Sequence, residues 1–133
     1  AVFDCADGHI IIASGNDGQF VKLCHLLGLE TGGAYATNAE RLENRAELMA
    51  LLTEKTTGWT KLDLLAACEE NGVPAGPIND MAEVFADPQI VAREMQVDLD
   101  GVPSVRLPVL FSGADITPKR GSPKLGEHQD LLD

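Results

Sequence analysis

The chain has 133 residues, enough for one modest core, and its 44 % hydrophobic and 23 % charged content is ordinary for a globular protein. Ten Lys and Arg face twenty-one Asp and Glu, a net charge of -11. Such a field repels nucleic acid and anionic membranes, so neither is expected as a partner, and it is a poor field for the phosphates of a nucleotide.

No apolar run reaches the roughly 18 residues of a membrane span. The start, Ala1-Val2-Phe3-Asp4, has no basic flank before an apolar stretch, unlike a signal peptide, and no initiator Met, as in a processed, excised or partial product. Three cysteines, Cys5, Cys24 and Cys68, form no close pairs. An odd count in apolar surroundings points to small buried thiols in a reducing compartment, hence to the cytoplasm, rather than to a disulfide framework.

Residues 2–5 alternate weakly, Asp7-Gly8 signals a turn, and Ile10-Ile11-Ile12 is a β-branched run. Together they predict a β-hairpin, with the triple isoleucine as an inner strand covered on both faces. Asn16 or Asp17 caps the next helix, where Phe20, Leu23, Cys24 and Leu27 recur at helical spacing and Gly28 marks the stop. Thr37-Asn38-Ala39-Glu40 has capping-box spacing, and the stripe Leu42, Ala46, Met49, Leu52 predicts one helix running to about Thr56. Thr60 and Asp63 open another helix that ends at Asn71-Gly72.

Residues 73–79 form a loop by composition, because Pro74 and Pro77 remove donors around Gly76. Asp80 caps a short helix containing Met81, Val84 and Phe85, and Asp87-Pro88 opens another through Arg93. Residues 95–100 alternate, and after the Asp100-Gly101 turn Val105-Arg106-Leu107 pairs back as a strand. From Pro108 on, prolines and glycines punctuate a stretch with little periodicity that holds Lys119, Arg120 and Lys124. The expected fold is α+β, a small antiparallel sheet of about three strands packed with several helices in residues 1–107, followed by an irregular tail over 108–133.

The order of these pieces resembles the family III CoA-transferases of the CaiB/BaiF group. The stretch Ala6-Asp7-Gly8, the isoleucines and Gly15-Asn16-Asp17-Gly18-Gln19-Phe20 is similar to one family segment. Asn38, Arg41 and Asn44-Arg45 resemble a second, and Gly72-Val73-Pro74-Ala75-Gly76-Pro77-Ile78-Asn79 a third. Asp87-Pro88-Gln89 with Ala92-Arg93 and Met95, Leu107-Pro108 with Phe111-Ser112, and Leu125-Gly126-Glu127-His128 complete the series across nearly the whole chain.

The resemblance implies that this is the family's C-terminal small domain. It implies a large Rossmann-like domain as partner, interlocked homodimers, and an acyl-CoA cleft closed by the small domain. Coenzyme A is then a substrate, not a tightly bound cofactor. The family's nucleophilic aspartate lies in the large domain and matches no position here. No catalytic residue is therefore carried over, and the isolated chain is expected to be inactive. Two other readings stay open: a stand-alone, non-catalytic binding or dimerisation module, and a fragment of an α-methylacyl-CoA racemase.

Asn16 and Gln19 are candidates for lining the cleft from the strand–helix loop, although helix capping explains them without a ligand. Gly76 and Pro77 are candidates for lining the acyl pocket with backbone groups, although a rigid connector explains them equally. Gly15 and Gly18 lack the third glycine of a dinucleotide fingerprint. Arg41 and Arg45, four apart, are read as one helix face, paired with Glu40, Glu43 or Glu47 or reaching an anion on the large domain. Glu127-His128 lacks an orienting third group, and His9 and His25 lack ligand spacing, so no metal site is expected.

Overall fold

The computed structural model describes residues 1–129. Asp7 sets the first turn, accepting the Lys61 backbone N–H at 2.7 Å, while Gly8 takes a φ of +149°. The flanking segments become β1 (Val2–Cys5) and β2 (Gly8–Ile12), paired antiparallel as the hairpin signal predicts. Helix α1 (Asp17–Leu26) follows, capped by Asn16, and Gly28 carries the φ of +66° that ends it. A 3-10 turn at Gly33–Tyr35, with no sequence signal strong enough to predict it, leads into α2 (Asn38–Glu43). Then come α3 (Arg45–Thr56), α4 (Lys61–Glu70) and β3 (Ala75–Ile78). The chain divides into two compact units, Ala1–Ile78 and Asn79–Asp133.

In the first unit the strand order is β1-β2-β3, all antiparallel. One sheet face presents Phe3, Ile10 and Ile12 to Phe20, Leu23, Leu52, Leu64 and Val73, and these form the core. Ile10 and Leu64 are fully buried.

Three expectations need correction here. The isoleucine strand is the central one, but only one of its faces is covered: Ile11, level with Val2 and Gly76, is 45 % exposed. Residues 75–78 are a strand, not a loop. Composition misleads because β3 lies at the sheet edge, where a missing donor is tolerated. The Ala13 N–H to Pro74 carbonyl bond of 2.8 Å makes 13 and 74 a bonded pair, so by antiparallel alternation the nitrogen of Pro77, opposite Ile10, faces away from β2.

The long helix predicted to reach Thr56 is two helices. Asn44, with φ -99° and ψ 24°, ends α2 and precedes α3, and its side-chain amide donates to the carbonyls of Ala34 and Glu40. Local hydrogen bonding by an asparagine side chain competes with continuing the helix, so an unbroken apolar stripe does not reveal the join.

The join matters for Arg41, which is 9 % exposed in α2. Its guanidinium pairs with Asp17 at the start of α1, not with a glutamate of its own helix. It also donates to the carbonyls of Tyr35 (3.1 Å) and Ala36 (3.3 Å), and lies 4.4 Å over the Phe20 ring. One side chain thus ties together α1, the 3-10 turn and α2.

In the second unit, α5 (Met81–Ala86) carries an Asp80–Glu83 capping box, and α6 (Pro88–Ala92) is capped by Asp87 with Pro88 in its first turn, as the spacing predicts. Strands β4 (Gln96–Leu99) and β5 (Val102–Val105) form a hairpin about the Asp100-Gly101 turn. Beyond β5, through residue 129, the described backbone forms only an isolated bridge between Phe111 and Ala114 and short turns. The α+β class and small antiparallel sheets stand, with three strands in one sheet and two in the other.

Two stability measurements check this account. Ile10→Ala should cost about 2–5 kcal/mol, whereas Ile11→Ala, one residue along, should cost less than about 1 kcal/mol. Equal losses in chemical denaturation would mean that the register is wrong. Arg41→Gln should cost about 2–4 kcal/mol through lost charge-assisted hydrogen bonds and ring contact. Asp17→Asn should cost about 1–2 kcal/mol, less than Arg41→Gln because that carboxylate is 58 % exposed, yet measurable because it supplies the counter-charge of a buried guanidinium.

Candidate functional site

The four candidate residues do not come together. Asn16 Oδ1 accepts the Gln19 N–H at 2.9 Å, and Gln19 Oε1 accepts the Gly15 N–H at 2.8 Å, so both side chains are engaged in starting α1. Gly76 lies on the open sheet face beside Ile11. Pro77 lines a shallow hollow of about 510 Å³ bounded by residues of α4 and β3, including Leu65 and Glu69.

A different hollow, of about 280 Å³, opens beside the start of α1. Its floor is apolar: Phe3 and Ile12 from the sheet, Phe20 and Leu23 from α1, Leu48 and Leu52 from α3. Ser14 and Gly15 form one wall. Asn38, Arg41 and Arg45 form another, which places the second and first family-like segments across the same depression. The two arginines share this wall although they sit on separate helices.

Their chemistry differs. Arg41 is held by Asp17 and two carbonyls, as described. Arg45 is exposed, and neither it, Asn38 nor Ser14 has a side-chain hydrogen bond or ion pair among the described residues. The hollow therefore joins apolar surface to one uncompensated cation and two neutral polar groups. Such a mixture suits a short carbon chain ending in an anion. Sequence reasoning grouped Arg45 with Arg41 on one helix face, because of their four-residue spacing, and so did not separate the roles of the two arginines. The available signal was Asn44, a residue that favours helix ends.

The cysteines offer no reactive thiolate. Burial pushes the thiols of Cys24 and Cys68 upward, with Arg41 pulling weakly the other way at Cys24. Burial first, then the carboxylates of Asp7 and Asp4, also raises Cys5. All three are free. His9 Nε2 lies 3.3 Å from Asp4 Oδ1 on the open sheet face. Among the described residues no group of three His, Cys, Asp or Glu is arranged to hold a metal, and no helix is long and apolar enough to cross a membrane. Glu127 accepts the Lys124 backbone N–H at 2.6 Å, a local turn contact.

The sequence pattern of CoA-transferase family III matches residues 1–129. The chain is 47 % identical to the succinate–glutarate CoA-transferase of Agrobacterium fabrum over 96 % of its own length and 34 % of that protein's. It is 35 % identical to the human succinyl-CoA:glutarate CoA-transferase, covering 95 % of this chain and 31 % of the relative. The crystal structure of a CaiB/BaiF family protein from Brucella suis superposes with a TM-score of 0.82 at 50 % identity, covering 98 % of this chain and 35 % of that one. The chain thus spans about a third of the length of each of these proteins. With the pattern matched nearly end to end, the chain belongs to CoA-transferase family III.

Proposed function

We propose that this chain forms one wall of the acyl cleft in an enzyme that exchanges CoA between short dicarboxylic acids. In that exchange the C–S bond of the donor thioester and one C–O bond of the acceptor carboxylate break, the CoA sulfur bonds to the acceptor's acyl carbon, and the displaced oxygen ends on the donor acyl group, which leaves as the free carboxylate. The attacking carboxylate comes from the remaining two-thirds of the protein, and the large Rossmann-like domain is the partner on which this unit closes. The exchange is tied to a cleft rather than to a free surface, and the single observation that carries the reading is the 280 Å³ hollow, with its apolar floor and one unpaired guanidinium.

Other features support it. Three acidic side chains of the first unit have local tasks: Asp7 holds the Lys61 N–H, Asp17 holds Arg41, and Glu40 completes the α2 capping box. The relatives' names carry succinate and glutarate, acids of four and five carbons with a carboxylate at each end. A surface of net charge -11 disfavours the CoA phosphates, which then rest on another part of the protein.

The complete encoded protein, given succinyl-CoA and glutarate, should produce glutaryl-CoA and free succinate, followed by liquid chromatography with mass detection. Failure to exchange CoA between any pair of short dicarboxylic acids would remove the reading. The 133-residue chain alone should show no micromolar binding of CoA by titration calorimetry and no transfer.

A further inference from the structure

We propose that Arg45 is a specificity-determining residue that holds the free carboxylate of a dicarboxylic acyl group, its methylenes lying on the apolar floor of the hollow. The inference rests on the CoA-transfer reading and names the substrate contact within the same site.

Arg45 and Arg41 share one wall, yet only Arg45 is available. Arg41 has its partners on α1 and at the 3-10 turn. The carboxylates near Arg45 in sequence do not neutralise it. Glu40 accepts from Thr37, and neither Glu43 nor Glu47, both exposed, makes an ion pair with it. In a chain with a net charge of -11, a dianionic acid is repelled by most of the surface, so binding needs a local cation that the protein has left unpaired. A guanidinium meets a carboxylate through two parallel N–H···O bonds, a geometry that a lysine cannot reproduce.

Size and polarity agree. The hollow, at about 280 Å³, is just under the roughly 300–1,000 Å³ of pockets that enclose drug-sized ligands. It has room for a short acyl chain. Phe20 and Leu48 offer apolar contact to methylenes, while Ser14 and Asn38 add donors without adding negative charge.

The test uses the complete protein, with glutarate and pentanoate as acceptors of equal length that differ by one carboxylate. At saturating succinyl-CoA, Arg45→Gln should lower kcat/KM for glutarate by about 10–100-fold and leave pentanoate within about 2–3-fold. Arg45→Lys should recover part of the loss. Free glutarate should raise the melting temperature of the wild-type protein but not of Arg45→Gln, a readout that needs no turnover. An equal fall for both acids, no fall for either, or a markedly lower melting temperature of unliganded Arg45→Gln would overturn the assignment, the last because the guanidinium would then pair within the protein. If the wild type exchanges no CoA yet glutarate still protects it through Arg45, the transfer reading falls and the carboxylate site stands. If exchange is intact and Arg45→Gln behaves as wild type, the reverse holds.

Discussion

Burying a guanidinium is costly unless its N–H groups and its charge are met, because the ion cannot be made neutral at ordinary pH. Arg41 meets that condition by drawing Asp17, the carbonyls of Tyr35 and Ala36 and the face of Phe20 around itself. These partners lie on separate elements of the first unit, so the demands of one ion fix where α1, the 3-10 turn and α2 stand. The hollow beside α1 exists because those elements are held there. Its apolar floor belongs to the same core that contains Ile12, Phe20 and Leu23, so the shape of the depression and the stability of the unit have a common origin.

The two arginines illustrate how identical chemistry acquires different roles. Arg41 is compensated and serves architecture. Arg45, four residues later, begins a new helix and remains uncompensated in a strongly acidic chain. What separates them is the join at Asn44, whose side chain satisfies carbonyls of the preceding segment while the backbone changes direction. A continuous helix would have placed both arginines along one stripe.

Much of this was legible from local chemistry. Asn16, Thr37, Thr60, Asp80 and Asp87 each stand before the helix they cap, and the hairpins announce themselves through Asp7-Gly8 and Asp100-Gly101. These features depend on short-range hydrogen bonds, which sequence spacing encodes. What stayed hidden depends on distant partners. The bond from Arg41 to Asp17 spans 24 positions, and no periodicity indicates it. The strand at residues 75–78 is held by β2, more than sixty residues earlier, against its own proline-rich composition. The hollow was invisible for the same reason: its walls come from segments near residues 14, 38 and 45 that meet only after folding. The family resemblance supplied the order of the pieces, but not which of their side chains would be left without a partner.

Pro77 carries one further consequence. A sheet with an open outer margin invites another extended chain to add itself, which is how soluble proteins begin to form fibres. At β3 that margin lacks one amide hydrogen, since the proline nitrogen turned outward has none to offer. An incoming strand would leave one of its own carbonyls unsatisfied at that step. The ring that makes this segment look unlike a strand therefore also discourages the sheet from growing beyond it.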